Sequence, residues 1–310
     1  MKKELITLDD GRCVDAQVPV IVSASRATDI PAFYSDWLVN RLEQGYVEWM
    51  NPFNGVPLYV SFRKTRLFVF WTKNPKPMFQ KLDFFDNRKL NYYFQFTLND
   101  YEAEGYEPGV PKLKERIETF IRLSERLGKD RVIWRFDPLL LTEKVSVKSL
   151  LAKVQQIGDT LASYTEQFVF SFVDIASYRK VSKNLAKAGI HAREFTLGEM
   201  HEFASGIQAL NKNWNLKLGT CAEKVDLDAY GIEHNQCVDD RLLIRAFRHD
   251  PKLMAFLGYE IDIFGNLVSV GKKRRLGDAG QRKACGCVIS KDIGAYNTCP
   301  HRCVYCYANE

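Results

Sequence analysis

Six stretches of the chain are short, apolar and rich in β-branched and aromatic residues: VPVIVSAS (18–25), LFVFWTKN (67–74), NYYFQFTLND (91–100), RVIWRFDPLLL (131–141), EQFVFSFVDI (166–175) and NLKLGTCAE (215–223). Runs of this length and composition predict buried strands. Between several of them the apolar residues recur at helical spacing. Residues 112–127 place Leu113, Ile117, Phe120, Ile121 and Leu127 on one face, and 146–163 and 177–188 behave similarly. Strand and helix alternating in this way predict parallel βα units, and the repeat length of a few tens of residues suits a TIM-type (β/α) barrel, partial or full, better than a sandwich.

The predicted strands end in polar residues: Ser25 and Arg26, Lys73 and Asn74, Asn99 and Asp100, Arg135 and Asp137, Asp174, and Glu223. If the strands are parallel, these residues meet on the carboxyl rim of the sheet, where ligands of α/β folds collect. Wet loops also end strands in polar residues, so each position alone has a plain structural reading. Thr28 or Asp29 in SASRATDIP reads as the cap of a helix opened by Pro31, whereas Arg26 follows a run apolar enough to deliver it to the rim.

This pattern divides the chain into barrel segments over 1–223, a less regular appendage with a basic loop over 224–284, and a cysteine-rich segment over 285–310 that packs back on the barrel. The appendage carries a short helical pattern near RLLIRAF and a hairpin candidate around Gly265-Asn266. Lys272, Lys273, Arg274, Arg275, Arg282 and Lys283 make its loop basic, either as a solvated face or for phosphate contact. The net charge of +6, from 44 basic and 38 acidic residues, tolerates a polyanion without requiring one. No apolar run approaches membrane-spanning length, and the start lacks a secretory apolar stretch, so the expected location is the cytoplasm, with no membrane partner.

Cysteine changes the picture most. Seven of the eight cysteines lie at or after Cys221, and in a reducing compartment such a set favours metal binding or catalysis over disulfides. Cys299, Cys303 and Cys306 stand in C-x3-C-x2-C spacing within TCPHRCVYCYAN. Three thiolates do not close a metal site, whereas a 4Fe-4S cluster with one open iron suits them. A zinc reading needs His301 as the fourth ligand, but His301 lies between two of the cysteines, flanked by Pro300 and Arg302 in what reads as a surface turn. A second set, Cys221, Cys237, Cys285 and Cys287, is numerically complete for an auxiliary iron–sulfur cluster or zinc, or is four separate buried thiols. Cys13 has no obvious partner and reads as structural.

C-x3-C-x2-C with an aromatic, Tyr305, just before the last cysteine resembles the signature of radical S-adenosylmethionine enzymes. NTCPHRCVYCYAN resembles the cluster loop of the spore photoproduct lyase branch. FVFWTKNP, FQFTLND, EPGVPKLKERIETFIRLSERLG and RFDPLLL resemble later barrel segments of that branch. There the cysteine loop comes first and here it comes last, which implies a circularly permuted barrel, a change that close termini tolerate. From IVSASRATDIPAFYSDWL to DIGAYNTCPHRCVYCYAN the chain also resembles an uncharacterised bacterial family, a domain of unknown function.

The resemblance implies that Cys299, Cys303 and Cys306 bind three irons, that S-adenosylmethionine chelates the fourth, and that its reductive cleavage yields a radical able to take hydrogen from a substrate. An electron donor is then required, and the substrate is an unknown small molecule or a nucleic-acid component. Tyr305 would lie near the adenine, and Asn74, Asn99, Asp137 and Asp174 are further cofactor-contact candidates. Lys73 and Arg135, given adjacent strands, are candidates for the cofactor carboxylate or an anionic substrate, with Arg26 beside them. No Gly-Gly-Glu segment of the kind that binds the cofactor's amino group is evident. Two other classes stay open: a non-catalytic iron–sulfur or zinc protein, and a nucleic-acid-binding module using the basic loop.

Overall fold

The runs that end in polar residues become neighbouring strands of one sheet. In the computed structural model, which describes residues 1–52, 54–270, 276–278 and 285–310, eight strands lie side by side. They are β1 (Ile21–Ala24), β2 (Leu67–Thr72), β3 (Asn91–Thr97), β4 (Val132–Leu139), β5 (Gln167–Phe172), β6 (Lys217–Cys221), β7 (Ile232–Asn235) and β8 (Lys291–Asp292). The order across the sheet is β7-β6-β5-β4-β3-β2-β1-β8, and every neighbouring pair is parallel. The last strand therefore pairs with the first, with Lys291 opposite Val22 and Asp292 opposite Ser23.

The fold is α/β, but among the described residues the sheet is open and no closed TIM barrel forms. Its edge strands, β7 and β8, have four and two residues, too few to carry a ladder of bonds across a closure. Lys73 and Arg135 consequently follow or lie on strands that are not adjacent, because β3 stands between β2 and β4.

Both faces of the sheet are covered, as parallel sheets require. Alternation in β2 to β5 sends Phe68, Phe70, Phe94, Phe96, Trp134 and Phe168 to one face, against helices Leu113–Leu127, Val147–Leu161 and Leu197–Trp214. Ser146 and Ser149 form a capping box at the start of the second of these helices, and Leu150, Val154, Ile157 and Leu161 are its buried stripe. Ile21, Leu67, Val69, Tyr93, Ile133 and Val169 point to the opposite face, where helices Asp240–Phe247 and Pro251–Leu257 cover them.

Those two helices and β7 come from the stretch expected to be an irregular appendage. It also holds an antiparallel hairpin, Tyr259–Ile261 with Leu267–Ser269. Lys272, Lys273, Arg274, Arg275, Arg282 and Lys283 lie outside the described residues. A separate small sheet, Lys3–Thr7, Cys13–Gln17, Pro57–Ser61 and Tyr46–Met50, flanks the main one, and the Cys13 thiol on it is exposed. Among the described residues no helix is long and apolar enough to cross a membrane.

Candidate functional site

Parallel strands deliver their carboxyl ends to one rim, and the cysteine loop reaches that rim because β8, just before it, runs parallel to β1. Asp292 secures the junction: its carboxylate accepts from Ser25 Oγ at 2.7 Å and from the Arg26 backbone N–H at 2.8 Å. At Gly294 an added Cβ would lie 1.9 Å from Ser25 Oγ, so only glycine permits this approach.

The loop is then tied to four other segments. Tyr34 Oη donates to the Thr298 carbonyl at 2.5 Å, and Tyr307 Oη to the Arg26 carbonyl at 2.7 Å. Asn184 Nδ2, from helix Arg179–Lys187, donates to the carbonyls of Cys306 (3.0 Å) and Asn309 (2.8 Å). Val304 N–H donates to the Tyr106 carbonyl, and Gly109 N–H to the His301 carbonyl, both at 3.0 Å. The loop uses left-handed backbone at Asn297 (φ 60°) and Arg302 (φ 50°), a conformation that non-glycine residues adopt at a cost and that the surrounding bonds hold in place.

His301 is not on a surface turn. It is 2% exposed, with Nδ1 3.0 Å from the Gly109 carbonyl and Nε2 2.8 Å from Asp29 Oδ2. With an acceptor at each ring nitrogen it is not free to ligate a metal. Asp29 also caps helix Ile30–Phe33 through Ala32 N–H and accepts the Lys73 backbone N–H at 2.7 Å, so the capping residue doubles as the anchor of the cysteine loop.

Beneath the loop, Tyr305 enters a buried polar cluster. Its hydroxyl is 3.1 Å from Lys73 Nζ and 3.0 Å from Asn99 Nδ2, and it donates to Glu107. Glu107 pairs with Lys73 at 2.8 Å and lies 3.9 Å from Arg116. Burial raises the Glu107 carboxyl, but the two cations outweigh it and hold it at about 2. Burial likewise opposes the Lys73 charge, and Glu107 keeps the lysine above its ordinary range. Cys303 is buried beside them. Burial pushes its thiol up, Lys73 pulls it down, and Glu107, Cys306 and Cys299 push it further up.

Asn99 and Asp137 continue this cluster across the rim. Asn99 Oδ1 accepts the Asp137 backbone N–H at 2.9 Å, and the Asp137 carboxylate accepts from Ser171 and pairs with Arg135. Arg135 is 1% exposed and also donates to Gln95 Oε1 at 3.1 Å and to Cys237 Sγ at 3.2 Å. A continuous set of polar contacts therefore runs from Tyr305 to the second cysteine set. Trp71 carries both Arg26 and Arg135, whose guanidinium carbons lie 5.0 and 5.3 Å from its ring centroid. Arg26 Nη2 is buried without a hydrogen-bond partner.

Asn74 forms a local turn, accepting the Lys76 backbone N–H at 3.3 Å while its own N–H meets Thr72 Oγ1 at 3.0 Å. Asp174 is half-buried in the loop after β5. Glu223 accepts the Phe172 backbone N–H at 2.9 Å. Sequence reasoning missed Glu107 and Arg116 as site residues. The only signal for Glu107 is a charge inside the Pro-Gly segment EPGVP, which reads as a solvated turn.

Among the described residues no group of three or more His, Cys, Asp or Glu is positioned around one ion as the side chains stand. The second cysteine set comes together as two pairs. Cys221 and Cys237 Sγ are 3.4 Å apart, and those of Cys285 and Cys287 2.9 Å. The Cys237 hydrogen bond and burial push Cys221 up. Cys287 is lowered by Cys237 but raised further by Cys285 and burial, to about 11. A surface groove of about 460 Å³ lies beside helix Arg179–Lys187, lined by Ile175, Arg179, Lys183, Arg193 and Glu194 among others and by none of the cysteines.

No curated protein matches the sequence. Among solved structures, a "putative alpha-L-fucosidase" from Bacteroides thetaiotaomicron is similar at 12% identity over 53% of this chain and 67% of its own, with a TM-score of 0.26. Residues 21–308, from the start of β1 to the end of the cysteine loop, match the model of a family described as Domain of unknown function (DUF1848), and the chain belongs to that family.

Proposed function

We propose that this protein is a radical S-adenosylmethionine enzyme built on a permuted partial barrel, with Cys299, Cys303 and Cys306 as the ligands of a 4Fe-4S cluster. The observation that carries the reading is the parallel pairing of β8 with β1. It makes the last strand the neighbour of the first and sets the C-x3-C-x2-C loop on the same rim as Lys73, Asn99 and Asp137.

The residues present suit such a group. Three thiols lie in one loop, and His301 between them is not free to serve as a fourth ligand, since both of its ring nitrogens are engaged. A cuboidal cluster also places each thiolate on a different iron, so its ligands stand farther apart than those of a single ion. Bound there, the cluster would supply reductive cleavage of S-adenosylmethionine chelated at its open iron.

The chain's own residues have definable tasks. Lys73, kept charged by Glu107, offsets thiolate charge at Cys303. Asn184 and Asn309 hold the loop through the carbonyls of Cys306 and Cys299. Arg26, with its unpartnered Nη2, presents an anion-seeking donor at the rim. The site's substrate is a small molecule or nucleic-acid component, and an external reductant is needed.

The test is anaerobic iron reconstitution followed by reduction with S-adenosylmethionine, assaying 5′-deoxyadenosine in wild type and Cys303→Ala. Deoxyadenosine that depends on Cys303 supports the reading. Stoichiometric zinc with no iron uptake at the triad would overturn it.

A further inference from the structure

The second cysteine set lies on the face of the sheet opposite the long helices, where Trp71, Gln95 and Arg135 point. Its thiols come from three places: Cys221 ends β6, Cys237 follows β7, and Cys285 and Cys287 precede β8. Sequence separation this wide, with burial of three of the four thiols, shows that the tertiary fold assembles them. Two pairs are in contact, at 3.4 and 2.9 Å, and all four cysteines pack in the one cluster on that face of the sheet.

Three N–H donors are aimed at these sulfurs. Arg135 Nη1 is 3.2 Å and Asn235 Nδ2 3.5 Å from Cys237 Sγ, and Val238 N–H is 3.4 Å from Cys287 Sγ. A neutral thiol is a poor acceptor and gives little return for a buried guanidinium. A metal-bound thiolate is a good one, and donors of this kind are the usual outer shell of thiolate metal sites. The backbone turns where the ligands need it to: Ala222 after Cys221 has φ 57°, and Gly286 between Cys285 and Cys287 has φ 61°. Gly286 lets the two flanking thiols share one side of the chain.

Charge points the same way. Four thiolates around a divalent ion leave two negative charges; buried Arg135 bonds to Cys237 Sγ, and half-buried Arg26 stacks with it on the Trp71 ring. Each also has a carboxylate neighbour, Asp137 and Asp292 respectively, which moderates the balance without displacing it.

We propose that Cys221, Cys237, Cys285 and Cys287 form a closed tetrathiolate site for one thiophilic divalent ion, zinc or ferrous iron. Ligands on a tetrahedral ion with Zn–S bonds of ~2.3 Å lie ~3.8 Å apart. The Cys221–Cys237 spacing of 3.4 Å is near that value, and the proposal requires the Cys285–Cys287 pair, at 2.9 Å, to open toward it. With no open position the site is structural: it ties the segment before the cysteine loop to β6 and β7. It does not depend on radical chemistry at the triad.

Metal content of the full chain, purified without oxygen, tests this in wild type, in Cys237→Ser and Cys287→Ser, and in a Cys299→Ser/Cys303→Ser/Cys306→Ser variant. One zinc or one iron per chain that survives in the triad variant and is lost in Cys237→Ser and Cys287→Ser is the expected result, whatever becomes of the triad. A metal-free triad variant, metal unaffected by Cys237→Ser, a multi-iron cluster in the triad variant, or a disulfide found among these cysteines by mass spectrometry overturns it. Should the serine variants fail to fold, titration of wild type with a mercurial keeps the proposal open to refutation. Metal release must track modification of these four thiols, and release uncoupled from them refutes it.

Discussion

The Tyr305 hydroxyl lies 3.1 Å from the Lys73 ammonium across 232 residues of sequence, and Asn99 and Glu107 complete its surroundings. Tyr305→Phe keeps the ring against Tyr101, 5.8 Å between centroids, and deletes only the hydroxyl. Leaving buried partners short of one hydrogen bond costs about 1–3 kcal/mol. Urea denaturation is expected to show a lower midpoint with an unchanged slope, and an unchanged midpoint would refute a stabilising role for this contact.

Glu107 predicts an acid-sensitive fold. Its folded-state value of about 2 lies below the ordinary 4.5, so the stabilisation is fully present above 4.5 and is lost as pH falls through about 2. The magnitude is on the order of 3 kcal/mol. Glu107→Gln removes that slope and, by leaving Lys73 and Arg116 buried without their anion, costs roughly 3–5 kcal/mol at neutral pH. Stability measured against pH in both proteins checks this; parallel curves would rule it out.

Gly109 presses on the cysteine loop. A Cβ there would lie 2.5 Å from the Pro300 carbonyl oxygen and 2.9 Å from His301 Cα, backbone atoms that cannot rotate away. Gly109→Ala is expected to loosen residues 299–306 while sparing the sheet. Faster alkylation of Cys303 with little change in circular dichroism is the predicted outcome, and wild-type alkylation kinetics would contradict it.

Deleting residues 285–310 removes Ile293, Cys303 and Tyr305 from the main core and uncovers the edge of β1. The truncated chain is expected to be insoluble or non-cooperative in thermal unfolding. A cooperative, soluble 1–284 fragment would show instead that the cysteine segment is a dispensable attachment.

Much of the sheet was legible because burial on both faces leaves a plain mark. β2, β3 and β5 read LFVFWT, NYYFQFT and QFVFSF, too short for buried helices and too aromatic for loops. β7 (IEHN) and β8 (KD) carry no such mark. They are strands because a neighbour offers an unpaired edge, which is a property of the fold and not of the segment. Glu107 and His301 were hidden for a related reason. Each sits among turn-forming residues that predict exposure, and each is buried because the 98–112 loop and the cysteine loop close on one another.

The sequence by itself determined the α/β class, the parallel alternation and the close spacing of the terminal cysteines, because periodicity, strand composition and residue spacing are local properties. Only the tertiary structure decided that the sheet stays open, that β8 pairs with β1, and that Cys221, Cys237, Cys285 and Cys287 share one face of the sheet. Those outcomes depend on which edges and faces remain uncovered once the other elements have packed, and no local pattern encodes that.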